Sequence, residues 1–164
     1  MAEIAEPFWT FALAFYRRPG VSSACIALQD RHGCDVNLML YACWVGLSGR
    51  GRLAGADLHR AEAVAAPWRG GVIEKLRAAR RAIGEEERRG AMLELYEAAK
   101  AVELAAERIA QRRLEALAPP ETVPGGAARA ADAAANLALY LAGKAADAAA
   151  TPIVAAIREA ARLA

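Results

Sequence analysis

Apolar residues recur along this chain at intervals of three and four, the spacing of helix faces. Phe8, Ala12 and Phe15 form one row, with Trp9, Leu13 and Tyr16 beside it. Pro7 suits the first turn of that helix, where its missing N–H costs nothing. The helix must stop before Pro19, because a proline drives the preceding residue out of the α region. Val21, Cys25, Leu28 and His32 define a second helix, with Gly33 as its left-handed cap. Asp35 is positioned to cap a third, Val36–Leu47, which is apolar all round and therefore belongs at the centre of the fold. A fourth helix, Ala54–Trp68, should bend or break near Pro67. A fifth, Val72–Ile83, puts Val72, Leu76, Ala79 and Ile83 on one face. The longest run, Glu85–Leu117, opens on three glutamates that suit the positive end of a helix dipole. It carries a narrow seam: Met92, Leu95, Ala99, Val102, Ala106 and Ile109.

Pro119-Pro120 and Pro124-Gly125-Gly126 read as a linker before an alanine-rich tail whose stripes are Leu137/Leu141 and Ile153/Ile157. No stretch alternates with a period of two. The pattern predicts an all-α fold: short N-terminal helices packed on a long helix over residues 1–118, a linker over 119–126, and a helical tail over 127–164 packed on the bundle. The expected core is Phe8, Phe11, Phe15, Leu28, Leu40, Trp44 and Leu76. The seam of the long helix needs a cover, either the tail or a second chain.

Composition sharpens this picture. Seven of ten aromatic residues and all three cysteines lie between Phe8 and Trp44, while much of the remainder is alanine, which forms helix well but buries little area. The large core side chains are therefore concentrated early. With 21 basic and 19 acidic residues the net charge is +2, too small to imply a polyanion partner by itself. The start, MAEIAEP, has no basic n-region, and no apolar run reaches the ~20 residues of a membrane span, so a cytoplasmic protein with free thiols is expected.

The chemistry-bearing residues are sparse. Cys25, Cys34 and Cys43 are nine apart, outside metal-knuckle spacing, and His32 and His59 do not form an i, i+4 pair. Neither a metal nor a cofactor is expected, and no catalytic residue is assigned. The densest polar cluster is Gln29, Asp30 and His32 with Asp35 and Asn37. Capping and hydrogen bonding at a helix corner account for it, each cap contributing about 1 kcal/mol. The functional alternative is a small ligand pocket using Gln29, Asp30, His32 and Asn37. Arg69, Arg77, Arg80 and Arg81 form a basic stretch that either meets an acidic partner or is a solvated face; no nucleic-acid motif accompanies it.

The string FALAFYRRPGVSSACIALQDRHGCDVNLMLYACWVG resembles a proteobacterial family known as domain of unknown function 2390. Pro19-Gly20-Val21, Leu28-Gln29-Asp30, Gly33, Asp35-Val36-Asn37-Leu38, Trp68, Leu76-Arg77 and Arg80-Arg81 carry the likeness, over roughly residues 8 to 83. The resemblance implies a cytoplasmic bacterial protein and adds no mechanism. Three function classes stay open in this order: an interaction or adaptor protein with a protein partner or a second copy, a helical small-ligand binder, and an enzyme.

Overall fold

The computed structural model describes residues 6–84, 89–122, 125–144 and 146–162. Its elements are α1 (Pro7–Tyr16), α2 (Val21–His32), α3 (Val36–Leu47), α4 (Gly55–Trp68), a π-helical turn (Arg69–Ile73), α5 (Glu74–Gly84), α6 (Ala91–Glu115), α7 (Gly126–Leu141) and α8 (Asp147–Arg162). Among the described residues there is no strand, and the protein is an all-α bundle.

The bundle is organised around α3, which is buried from Asn37 through Gly46. Such a helix exposes no face to water, so its neighbours must enclose it. Phe8, Tyr41 and Trp44 interlock on one side, with Phe8 and Trp44 stacked at 5.0 Å and Phe8 edge-on to Tyr41 at 5.7 Å. On the other side α7 runs against α3 at close range. Gly46 faces Ala133, and a Cβ at Gly46 would overlap the Ala133 backbone. Helix α8 rests on α2 and α7, and α5 lies along α6.

Local signals act as the sequence indicates. Asp35 is extended and accepts hydrogen bonds from Asn37 N–H (2.8 Å) and Leu38 N–H (3.3 Å), satisfying two free donors of α3. Gly33 closes α2 at φ 61°, a conformation that penalises a side chain. The break expected near Pro67 takes the form of the π turn that follows α4. Wider winding there, through Gly70 and Gly71, rotates what comes after.

Three expectations change. The inner face of α5 is displaced: Val72 and Ala79 point outward, Ile73 is buried, and Leu76 is half-buried against Trp68. The π turn is the physical reason, because an extra residue in a turn shifts the register. The long helix starts at Ala91, after Gly90 at φ 52°, and spans 25 residues. The glutamates at 85, 86 and 87 lie outside the described residues. The tail meets α3 and α2 and not the seam of α6: Leu137, Leu141, Ile153 and Ile157 join the main core, while of the seam Ala106 is buried against Ile73, Met92 and Ala99 are half-buried, and Leu95, Val102 and Ile109 stay exposed. Of the expected core, Phe8, Phe15, Leu28, Leu40 and Trp44 are buried; Phe11 and Leu76 are half-buried.

Asn136 of α7 seals this arrangement from inside. Its amide oxygen accepts from Leu53 N–H (2.8 Å), and its amide N–H₂ donates to the carbonyls of Gly51 (3.1 Å) and Ala42 (3.3 Å). It satisfies the backbone of the α3–α4 loop where water cannot reach.

Gly46→Ala tests the close approach. Alanine in an exposed helix would stabilise by about 1 kcal/mol. Here it should destabilise by about 1–3 kcal/mol, because α3 and α7 must separate. Urea unfolding of the two proteins measures the sign.

Candidate functional site

Four helices leave a groove between them. Trp9, Leu13 and Tyr16 of α1 form one wall, Ile26 and Gln29 of α2 the next, and Arg77, Arg80 and Arg81 of α5 the third. Helix α6 closes it with Tyr96, Lys100, Glu103, Leu104, Glu107 and Gln111, and the start of α3 supplies Val36, Asn37 and Leu40 as floor. The cavity volume is about 420 Å³. That lies within the usual range for small-ligand sites, roughly 300–1,000 Å³. The row Trp9, Leu13, Tyr16 is half-buried because it faces this groove while Phe8, Ala12 and Phe15 face the core.

A buried ion-pair network holds α5 to α6 along the groove. Glu103 is buried and accepts from Arg77 Nε (2.9 Å) and Arg80 Nε (2.5 Å). Arg77 also donates to Gln29 Oε1 (2.7 Å) and Glu107 Oε1 (3.0 Å), so one guanidinium joins α2, α5 and α6. The two carboxylates differ. Burial opposes the charge of Glu103, but the hydrogen bonds from Arg80 and Arg77 outweigh it and hold its pKa below the usual value. Burial dominates at Glu107, and its pKa is raised despite Arg77.

At the floor, Gln111 donates from Nε2 to Asn37 Oδ1 (2.7 Å). Its Oε1 is buried with no hydrogen-bond partner among the described residues. An unpaired buried acceptor costs about 1–3 kcal/mol and requires an explanation. The lining therefore includes a buried acceptor whose hydrogen-bonding capacity is unused.

The sequence candidates separate in space. Gln29 and Asn37 border the groove. Asp30 is exposed and meets Arg81 at 3.5 Å on the surface. His32 turns the other way, with Nδ1 3.1 Å from the Lys144 carbonyl in the α7–α8 connection. The four-residue corner is thus not a single pocket. Arg69 is drawn inward to Asp35 (3.1 Å) and Glu62 (2.6 Å), beside a smaller cavity of about 130 Å³. Burial raises the Asp35 pKa, a shift partly offset by Arg69 and the capping N–H groups. Arg77 and Arg80 are occupied by Glu103, so of the four basic candidates only Arg81 is more than half exposed at its side chain.

Sequence reading assigned no role to Glu103, Glu107 and Gln111. Their spacing of four was the available signal: three polar residues on one stripe, a turn apart. Which way that stripe pointed was not legible.

Burial disfavours the thiolate form of all three cysteines. Burial pushes the Cys25 thiol up to about 12, raises Cys43 further, and raises Cys34. A protonated thiol is a weak nucleophile and a poor metal ligand. Among the described residues no three or more His, Cys, Asp and Glu side chains cluster to hold a metal ion, and no helix is long and apolar enough to cross a membrane.

This is an all-α protein with an amphipathic groove crossed by arginine–glutamate pairs. The chain belongs to the family described as Protein of unknown function (DUF2390), whose model matches residues 7–114. The match covers every groove-lining residue and stops in the last turn of α6. No curated protein and no solved structure matches the chain.

The opposed shifts give opposed predictions. The lowered pKa of Glu103 means its contribution is present above the unfolded carboxyl value and is lost as pH falls through the folded one. Glu103→Gln should then destabilise by about 2–3 kcal/mol at neutral pH, below the full buried-pair value because both arginines are partly solvated. The raised pKa of Glu107 means its ionisation disfavours the folded state as pH rises, so Glu107→Gln should be neutral or stabilising. Asp30→Asn should stay within about 0.5 kcal/mol, as for a surface pair. Denaturation at pH 7 and pH 5 separates the three.

Proposed function

We propose that this protein binds a small amphipathic organic molecule in the groove between α1, α2, α5 and α6. The observation that carries the reading is the unpaired, buried Gln111 Oε1 on a residue that lines a cavity large enough for a ligand. A folded protein retains an unpaired acceptor there at a cost, which a hydroxyl or amine of a ligand would remove. Trp9, Leu13, Ile26, Val36, Leu40 and Leu104 offer an apolar surface for the body of such a molecule. Arg17, Arg77, Arg80, Arg81 and Lys100 outnumber the two lining carboxylates, and Arg81 and Lys100 are more than half exposed. An anionic group at the mouth of the groove suits that rim. The ligand class is thus an apolar body with a hydrogen-bond donor at one end and an anionic group at the other.

Ranking this reading above an adaptor that docks through the basic stretch has a specific ground. Arg69, Arg77 and Arg80 already hold internal carboxylates, and drawing them to a partner would break those pairs. The proposal includes a reducing, cytoplasmic setting, supported by three buried free cysteines.

The test uses 8-anilinonaphthalene-1-sulfonate, which has an aromatic body, an N–H donor and a sulfonate. Saturable one-to-one binding is expected, with quenching of tryptophan fluorescence through Trp9. Ile26 and Leu104 line the groove yet are exposed, so charges there should not unfold the chain. Ile26→Glu and Leu104→Glu should each weaken binding by about tenfold, or about 1.4 kcal/mol, at an unchanged thermal midpoint. Non-saturable binding, or affinity that ignores both substitutions, would refute the site.

A further inference from the structure

The stripe of α6 that the tail leaves uncovered has a regular pattern. Leu95, Ala98, Val102, Ala105 and Ile109 follow one another at intervals of three, four, three and four. The three large members are 50%, 52% and 42% exposed. A heptad repeat of this kind keeps one seam turned toward one partner helix. The stripe is distinct from the core face of α6, made by Glu103, Ala106, Ala110 and Leu114, and from the groove face, made by Lys100, Leu104, Glu107 and Gln111. Single exposed leucines or valines need no explanation. Three on one seam, spaced by seven with alanines between them, do.

We propose that two copies of this chain pair through this seam, with their α6 helices antiparallel about a two-fold axis. Two observations choose the occupant and the direction. The first is size alternation. In an antiparallel pair each a position meets a d position of the other helix, so Leu95, Val102 and Ile109 would each face an alanine. With the axis near residue 100, Leu95 meets Ala105 of the partner subunit and Val102 meets Ala98 of the partner subunit. Large against small fills each layer and lets the helices approach to about 8 Å. A parallel pair would set alanine against alanine and leave voids.

The second is charge. Beside the seam, Glu94 adjoins Leu95 and Arg108 adjoins Ile109; Arg108 bonds Glu6 through Nε, and its side chain is still half exposed. Antiparallel pairing in this register sets Glu94 across from the exposed side of Arg108 of the partner subunit, without requiring the Arg108–Glu6 pair to break. Parallel pairing would juxtapose like charges. A second copy supplies both complements by symmetry, through one self-complementary patch.

The seam is about 21 Å long from Leu95 to Ile109, at 1.5 Å per residue. That is short for a permanent dimer, so the association is of the weak, concentration-dependent class. It uses a flank of α6 that the groove does not, so a ligand and a second chain can be held together.

The test is sedimentation equilibrium of the full chain from low to high micromolar concentration. The mass should rise from 17.3 kDa toward twice that value. Val102→Glu, on an exposed side chain, should weaken association by at least about tenfold while leaving the thermal midpoint of dilute protein and 8-anilinonaphthalene-1-sulfonate binding unchanged. Direction is read by cross-linking, because the native cysteines are buried and introduced ones react first. A mixture of Leu95→Cys and Ala105→Cys chains should form the mixed disulfide, and Leu95→Cys alone should not cross-link to itself. A monomer at every concentration, association indifferent to Val102→Glu, or preferential self-cross-linking of Leu95→Cys would each overturn the proposal.

Discussion

The burial of α3 on all sides is the constraint on which the fold depends. A helix that shows no face to water needs neighbours around its whole circumference and satisfied polar groups at both ends. Here the neighbours are α1, α2, α4, α6, α7 and α8, and the N-terminal donors are satisfied by Asp35. Removing any of these helices would expose part of a surface that includes Tyr41, Trp44, Met39 and Val45. The C-terminal tail is therefore not an appendage. Helix α7 approaches α3 closely enough that only glycine fits at position 46, and Asn136 satisfies the backbone just beyond the end of α3.

The same enclosure explains why the groove exists. Once α7 and α8 occupy one side of α3, the other side is left to α1 and α6, and α5 packs on α6 through charged side chains. Arginine–glutamate pairs set a wider spacing than alanine or leucine would, and the network of Arg77, Arg80, Glu103 and Glu107 acts as a polar strut between α5 and α6. Buried ion pairs of this sort seldom raise stability over apolar packing, and their use is in fixing geometry. The strut fixes α5 on α6 at the edge of the groove.

The family match and the core do not end at the same place. Residues 7–114 carry the groove, the strut and α3, whereas α7 and α8 lie beyond the match and still complete the core. An alanine-rich sequence can supply that cover because close helix approach needs small side chains more than particular ones. Ala133 against Gly46 and Gly126 against Ala161 are both contacts of this kind. The low complexity of the tail is thus compatible with a defined role in packing.

Helix positions, the caps at Gly33 and Asp35, the central place of α3 and most of the aromatic core were legible in the sequence, because each follows from local spacing or backbone chemistry. The π turn at Arg69–Ile73 marks where local reading stops. Pro67, Gly70 and Gly71 announced a break, but only the fold shows that the chain stays helical and turns Ile73 inward in place of Val72. Likewise the residues at 29, 37, 77, 103, 107 and 111 are distant in sequence, and nothing in their spacing says that they meet. The direction a polar stripe faces is set by which helix packs against it, and that choice belongs to tertiary structure. So does the fate of the α6 seam: its spacing is written in the chain, but that Ala106 turns inward against Ile73 while Leu95, Val102 and Ile109 stay exposed is decided by which helices pack on α6.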